Sequence, residues 1–389
     1  MSPDRSRRRL FGAGATLVAA AAAAALASPA RADGFSHNFA GSVQIDYLSV
    51  PTEKYPARQG FDGATVELSL KLAMDFGDKV SSSVKVCVAC HGLEVGLASF
   101  DLRVADELNV RVGRFIPSFG SFPIRHDPAN HRTSDKPLPY DMGRMLRLRE
   151  WNLGVLPTPW VESGVEIGGT VFASSGQLDY AVYAVSGPKA GADAADFDFI
   201  RSRSPDRYYI DNNSEPSVGG RLAGTVELGP VSVMLGASAM TGRYDPDRHL
   251  AFFIAGADLG FQIGQAFLRT EYLVRRTEMA LGEDPATRFR YGPGEDGEVD
   301  NFFLKDGFYG ELEVPFGDLE ALVRFDGLRR FGNVLASSQL RSRSAVLRYT
   351  AALAYRLPGG LRLKASAEQY DFSDFDDEVA LHLGIAGSF

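Results

Sequence analysis

Apolar and polar residues alternate with a period of two along almost the whole chain after about residue 33. That pattern restricts the fold more than any other feature. In the last segment Val379, Leu381, Leu383, Ile385 and Phe389 fall on one face, and Ala380, His382, Gly384, Ala386 and Ser388 on the other. Val66, Leu68, Leu70, Leu72 and Met74 alternate in the same way with Glu67, Ser69, Lys71 and Asp75. Leu347, Tyr349, Leu353 and Tyr355 alternate with Arg348, Thr350 and Arg356, and Leu361 and Leu363 with Arg362, Lys364 and Glu368. If the apolar faces meet lipid, the charged faces must meet water, because Arg or Lys on the lipid side costs about 2–4 kcal/mol at the bilayer midplane. Lipid cannot satisfy an open sheet edge, so the strands must close on themselves. The expected fold is all-β: a closed, transmembrane, antiparallel β-barrel of about 16 strands (14–18). A soluble β-sandwich with polar outer faces is the alternative.

The chain ends are consistent with that barrel. Arg5, Arg7, Arg8 and Arg9, the apolar stretch Leu17 to Leu26 and the Ala30-Arg31-Ala32 run have the three parts of a secretory signal peptide, assigned to residues 1–32. The terminal Phe389 on an amphipathic strand resembles the recognition signal of bacterial outer-membrane barrels. Residues 33–389 then form one domain, with no compositional break, and the expected location is the bacterial outer membrane. Removing residues 1–32 takes away five arginines and one aspartate, so the formal charge of −8 becomes −12. That acidic balance argues against a nucleic-acid partner. Short turns such as 76–79, 106–107, 228–230 and 316–318 alternate with long connections at roughly 49–62, 117–160, 188–216, 280–300 and 330–344. In an outer-membrane barrel the short turns are periplasmic and the long loops extracellular.

The two cysteines form a single run, Cys87-Val88-Ala89-Cys90-His91-Gly92. C-x-x-C-H is the attachment site of c-type haem: two thioethers hold the macrocycle and the adjacent histidine ligates the iron. Cys87, Cys90 and His91 are therefore the candidate cofactor residues for one covalent haem c, with His91 as proximal ligand. A disulfide between the two cysteines is the structural alternative. Turn parity puts the motif at the outer end of a hairpin spanning 79–104, with Ser83, Lys85 and Cys87 toward the lumen. The 117–160 connection is the expected constriction loop folded into the lumen. It carries the distal-ligand candidates His126 or His131, with Met142 and Met145 as the other choices. Arg125, Arg132, Arg144, Arg147 and Arg149 of the same loop are candidates for propionate or anion contacts, or plain pore lining. No hydrolytic constellation is present, so the expectation is a transport or electron-transfer protein and not an enzyme.

Leu108-Asn109-Val110-Arg111-Val112-Gly113-Arg114-Phe115, followed by Pro117-Ser118-Phe119-Gly120, resembles the L-x-V/L-R-V-G-x-F-x-x-P-F-G segment of phosphate-selective (O/P-type) porins. The resemblance is strongest over about residues 62–160. It implies a porin whose strand at this point rises to the outer rim before a long loop. That family's anion preference is associated with lysines in the pore, whereas the inward faces here mix arginines, lysines and carboxylates. Homotrimers are common among porins. A second resemblance, in concept, is to fused cytochrome–porins, which pair one c-type haem with such a barrel and oxidise extracellular iron. Those carry the haem in an N-terminal segment, and here the motif lies within a hairpin. Together these imply electron transfer across or at the outer membrane, between a periplasmic cytochrome and an extracellular donor or acceptor such as iron. The alternative is passive diffusion of small solutes, anions included, with no haem.

Overall fold

The computed structural model describes residues 34–51, 63–89, 92–141, 154–189, 211–282, 287, 289–290, 301–338 and 340–389. Its strands are β1 (Phe35–Ser49), β2 (Gly63–Phe76), β3 (Val80–Ala89), β4 (Gly92–Ala105), β5 (Leu108–Phe115), β6 (Glu162–Ala173), β7 (Gly176–Val185), β8 (Ser217–Leu228) and β9 (Val231–Arg243). They continue with β10 (Ala251–Ile263), β11 (Ala266–Glu278), β12 (Phe289–Arg290), β13 (Phe302–Phe316), β14 (Leu319–Gly332), β15 (Val334–Leu335), β16 (Arg343–Arg356), β17 (Leu361–Phe372) and β18 (Glu378–Ser388). The short β12 and β15 pair with each other, and the other sixteen form one closed antiparallel barrel in which each strand pairs with its sequence neighbours. The assigned signal peptide lies outside the described residues.

Closure is made between β1 and β18, in a register running from Ser42 opposite Ser388 to Ser49 opposite Leu381. Phe389 completes it by exchanging two backbone hydrogen bonds with Gly41, at 2.9 and 3.0 Å. Its ring lies over Gly41, where any Cβ would collide with it. The terminal aromatic thus seals the seam and removes the last open edge.

The period-two pattern is realised as two chemically distinct faces. Val66, Phe253, Leu353, Leu363 and Leu383 are exposed on the outside, where lipid solvates them, while Arg348, Lys364, Glu368 and His382 between them are buried within. Phe35, Phe76, Phe172, Phe316 and Phe389 are exposed at the short-turn ends of their strands. Such a girdle marks a membrane–water interface. No helix among the described residues is long and apolar enough to cross a membrane. The apolar outer band and its girdle identify an outer-membrane barrel.

One stretch of wall departs from regularity. β5 has eight residues against fourteen in β4, and the pairing of β4 with β5 begins only at Ala98, opposite Arg114. A bulge shifts the β3–β4 register between Lys85 and Val86, with Gly96 as the extra residue. The chain leaves the wall after Phe115, and Pro117 has no N–H with which to continue a ladder.

Candidate functional site in the lumen

The described parts of the connection between β5 and β6, residues 116–141 and 154–161, pack inside the barrel. Two kinds of contact hold it there. The first is apolar: Phe115, Phe119, Phe122, Leu138, Tyr140 and Trp160 join wall residues such as Tyr183, Tyr309 and Leu328 in one buried cluster. Phe122 stacks on Tyr140 with ring centroids 5.3 Å apart. Each such side chain contributes about 1.5–3 kcal/mol through burial, enough to hold the loop off the wall it left.

The second kind is polar. A loop that enters the interior brings backbone N–H and C=O groups that must be satisfied. The inner face supplies carboxylates and one hydroxyl for the donors and cations for the acceptors. The Ser118 N–H donates to Glu166 Oε2 of β6 (2.7 Å), Gly120 N–H to Ser238 Oγ of β9 (3.0 Å), Ser121 N–H to Glu271 Oε1 of β11 (2.7 Å) and Leu138 N–H to Asp326 Oδ2 of β14 (2.9 Å). In the opposite sense, Arg275 of β11 donates to the Val155 carbonyl (3.0 Å), Arg348 of β16 to that of Lys136 (2.6 Å) and Arg362 of β17 to that of Ala129 (2.6 Å). The loop is therefore clamped to strands distributed around the lumen. Gly120 permits the first bend, with φ of +63°. A Cβ there would run into Tyr140 Oη and Glu271 Oε1.

The charged lining is mixed in sign and internally paired. Arg132 of the loop bridges Glu313 (2.7 Å) and Glu320 (3.0 Å), and Glu320 also holds Arg356 and Arg362. Arg348, fully buried, lies on Asp326 through two hydrogen bonds of 3.0 and 2.6 Å and reaches Asp135 and Glu368 at 3.2 and 3.4 Å. Arg125 lies over the Phe122 ring, 5.6 Å from its centroid. These arginines are committed to carboxylates, carbonyls or rings. Arg144, Arg147 and Arg149 lie outside the described residues.

The residues singled out for haem are divided by the structure. Cys87 sits on β3, opposite Ser69 of β2 and Glu94 of β4, on the lumenal face shared with Lys85. Its Sγ leans on the bulge, where a Cβ at Gly96 would be 3.2 Å away. Cys90, His91, Met142 and Met145 lie outside the described residues.

His126 is brought to the same face: its Nε2 accepts from Lys85 Nζ at 3.2 Å, its Nδ1 donates to the Pro123 carbonyl at 2.7 Å, and Asp127 forms an ion pair with the same lysine. Burial, opposed by Asp127 and assisted by Lys85, pushes the His126 pKa down to about 3, so the ring is neutral. It would ligate a haem beside Cys87 only if Lys85 released it. His131 is carried elsewhere, packing on Phe122 and sharing the Thr133 carbonyl with Lys364 of β17. Burial and Lys364 hold its pKa well below the usual histidine value.

No family model and no curated protein matches this sequence. Solved structures do match its fold. OmpF of Salmonella typhi in complex with daunomycin superposes with a TM-score of 0.54 at 10% identity, over 92% of this chain and 99% of that one. An anion-selective porin from Comamonas acidovorans gives 0.53 at 11% identity, over 91% and 100%. OmpT of Vibrio cholerae gives 0.51 at 10% identity, over 92% and 99%. At such identities the likeness is one of architecture. The chain has the fold of a sixteen-stranded outer-membrane porin.

Proposed function

We propose that this protein is a porin-type diffusion channel for small hydrophilic solutes. The observation that carries the reading is the loop pinned across a charged lumen by clamps on β6, β9, β11, β14, β16 and β17. A rigid, polar constriction sets a size limit, and paired charges of both signs give little preference for either ion. Purified protein in planar bilayers is expected to insert in discrete conductance steps, with a small reversal potential across a salt gradient. Folded barrels that insert without conducting would overturn the reading.

A second reading adds one covalent haem c. It is supported by the C-x-x-C-H run and by Cys87 lying on the lumenal face beside Lys85, which engages His126. Cys87 and Cys90 would hold the group and His91 would ligate it. Once attached, the haem would supply a one-electron couple for exchange between a periplasmic cytochrome and an extracellular donor or acceptor such as iron. On this reading burial keeps His126 neutral and Lys85 orients it near the site. Protein made in a host that matures c-type cytochromes should give a pyridine haemochrome after denaturation, lost on Cys87→Ser. A colourless wild-type chain from such a host removes the second reading and leaves the first intact.

A further inference from the structure

We propose that Asp135, Glu368 and His382 bind a divalent transition-metal ion that fastens the infolded loop to the barrel wall. Asp135 belongs to the loop, Glu368 to β17 and His382 to β18. All three are buried, and one ligand atom from each lies within 4.8 Å of the others. His382 Nε2 stands 3.8 Å from Asp135 Oδ2 and 3.7 Å from Glu368 Oε2. Those separations are too long for hydrogen bonds. They lie near the roughly 3.4 Å between two donors that share one tetrahedral ion at about 2.1 Å.

The histidine is set up as a ligand. Its Nδ1 meets Asp46 Oδ2 of β1 at 3.1 Å, a carboxylate contact that places the proton on Nδ1 and presents the Nε2 lone pair to the cluster. The His382 side chain is fully buried, and Nε2 has no hydrogen-bond partner; neither has Glu368 Oε1. An imidazole nitrogen set between two carboxylates, with its other nitrogen already committed, is arranged to share a cation with them.

The surrounding charges fit as well. Around the trio stand Asp46, Asp326, Arg324, Arg348 and Tyr370. Carboxylates outnumber cations here: Asp46, Asp135, Asp326 and Glu368, with Glu311 on Arg324, stand against Arg324, Arg348 and the Lys364 ammonium near Asp46, a balance that favours a bound cation. Arg348 Nη1 does approach the two ligand oxygens, at 3.2 Å from Asp135 and 3.4 Å from Glu368. The guanidinium is nevertheless anchored on its other edge by Asp326. Tyr370 Oη donates to Glu368 Oε2 at 2.8 Å, and each carboxylate retains lone pairs for an ion. One imidazole with two carboxylates suits zinc, iron(II) or manganese(II). The competing occupant of the same charge gap is a proton on His382.

Cobalt(II) and zinc separate the two. The full-length barrel, folded in detergent, stripped with chelator and dialysed against cobalt(II), is expected to retain one equivalent and show visible d–d absorption that zinc displaces. Asp135→Asn and His382→Gln should each cut retained metal at least tenfold, and His249→Gln should leave it unchanged. Asp135→Asn alters the loop and not the wall, and heat-modifiable gel mobility reports whether each barrel has folded. A folded wild-type barrel that retains no metal would overturn the proposal in favour of the protonated histidine. Retention undiminished in both variants would overturn it too, since the ion would then lie elsewhere. Neither readout depends on conductance, so the channel reading stands or falls separately.

Discussion

Arg348→Ala is expected to cost about 3–5 kcal/mol of barrel stability, because it removes one partner from a buried ionic cluster and leaves the others uncompensated. Arg348 is fully buried and holds Asp326 by two hydrogen bonds, Asp135 and Glu368 by ion pairs and the Lys136 carbonyl by a fifth contact. Its guanidinium also lies 5.6 Å from the Tyr370 ring centroid. Alanine would leave buried Asp135, Asp326 and Glu368 with Arg324 as their remaining guanidinium, and a loop carbonyl without its donor. Arg348→Met tests how the cost divides: the stem is kept and the charge lost, so most of the destabilisation should persist. Adding Asp326→Asn to Arg348→Met should recover part of it, since a neutralised pair is less costly than a broken one. Urea midpoints of the folded barrel in lipid measure all three. If Arg348→Ala unfolds at the wild-type midpoint, the cluster is not what holds this side of the lumen together.

The wall was legible from local pattern, and the lumen was not. Parity along the last strand places Leu381 and Leu383 outward and His382 inward, as found. The same reasoning puts Cys87 and Lys85 on one inner face, and strand counting leads to sixteen. A period of two decides only which side of a sheet a residue occupies. What it meets there depends on register around a closed barrel and on where the loop comes to rest. Asp135 reaches Glu368 and His382 across more than two hundred residues of chain, a pairing no spacing rule encodes.

The choice between His126 and His131 shows the same limit. Both are polar residues five positions apart in one loop. Only the folded loop sends the first to Lys85 on β3 and the second to the Thr133 carbonyl near β17. The bulge at Gly96 likewise left no mark in the alternation, because glycine is silent in a hydrophobic pattern.

Glu271→Ala is expected to detach the start of the infolded loop, raising unitary conductance and adding rapid flicker. The Glu271 carboxylate is the acceptor for Ser121 N–H (2.7 Å), Tyr140 O–H (2.6 Å) and Tyr309 O–H (2.9 Å). Each of these donors, left unsatisfied where it is buried, costs about 1–3 kcal/mol. Loop movement toward water relieves that cost, and the apolar stack of Phe122 on Tyr140 opposes it. The balance favours release only if several donors are stranded together. Tyr140→Phe, which removes a single hydrogen bond and keeps the stack, should therefore change conductance far less. Gly120→Ala attacks the same anchor from the backbone: its φ of +63° disfavours any side chain, and the added methyl meets Tyr140 and Glu271 directly. It should reproduce the Glu271→Ala behaviour. Wild-type steps in both variants would mean that the apolar cluster alone keeps the loop inside, and that the carboxylate clamp is dispensable for the constriction.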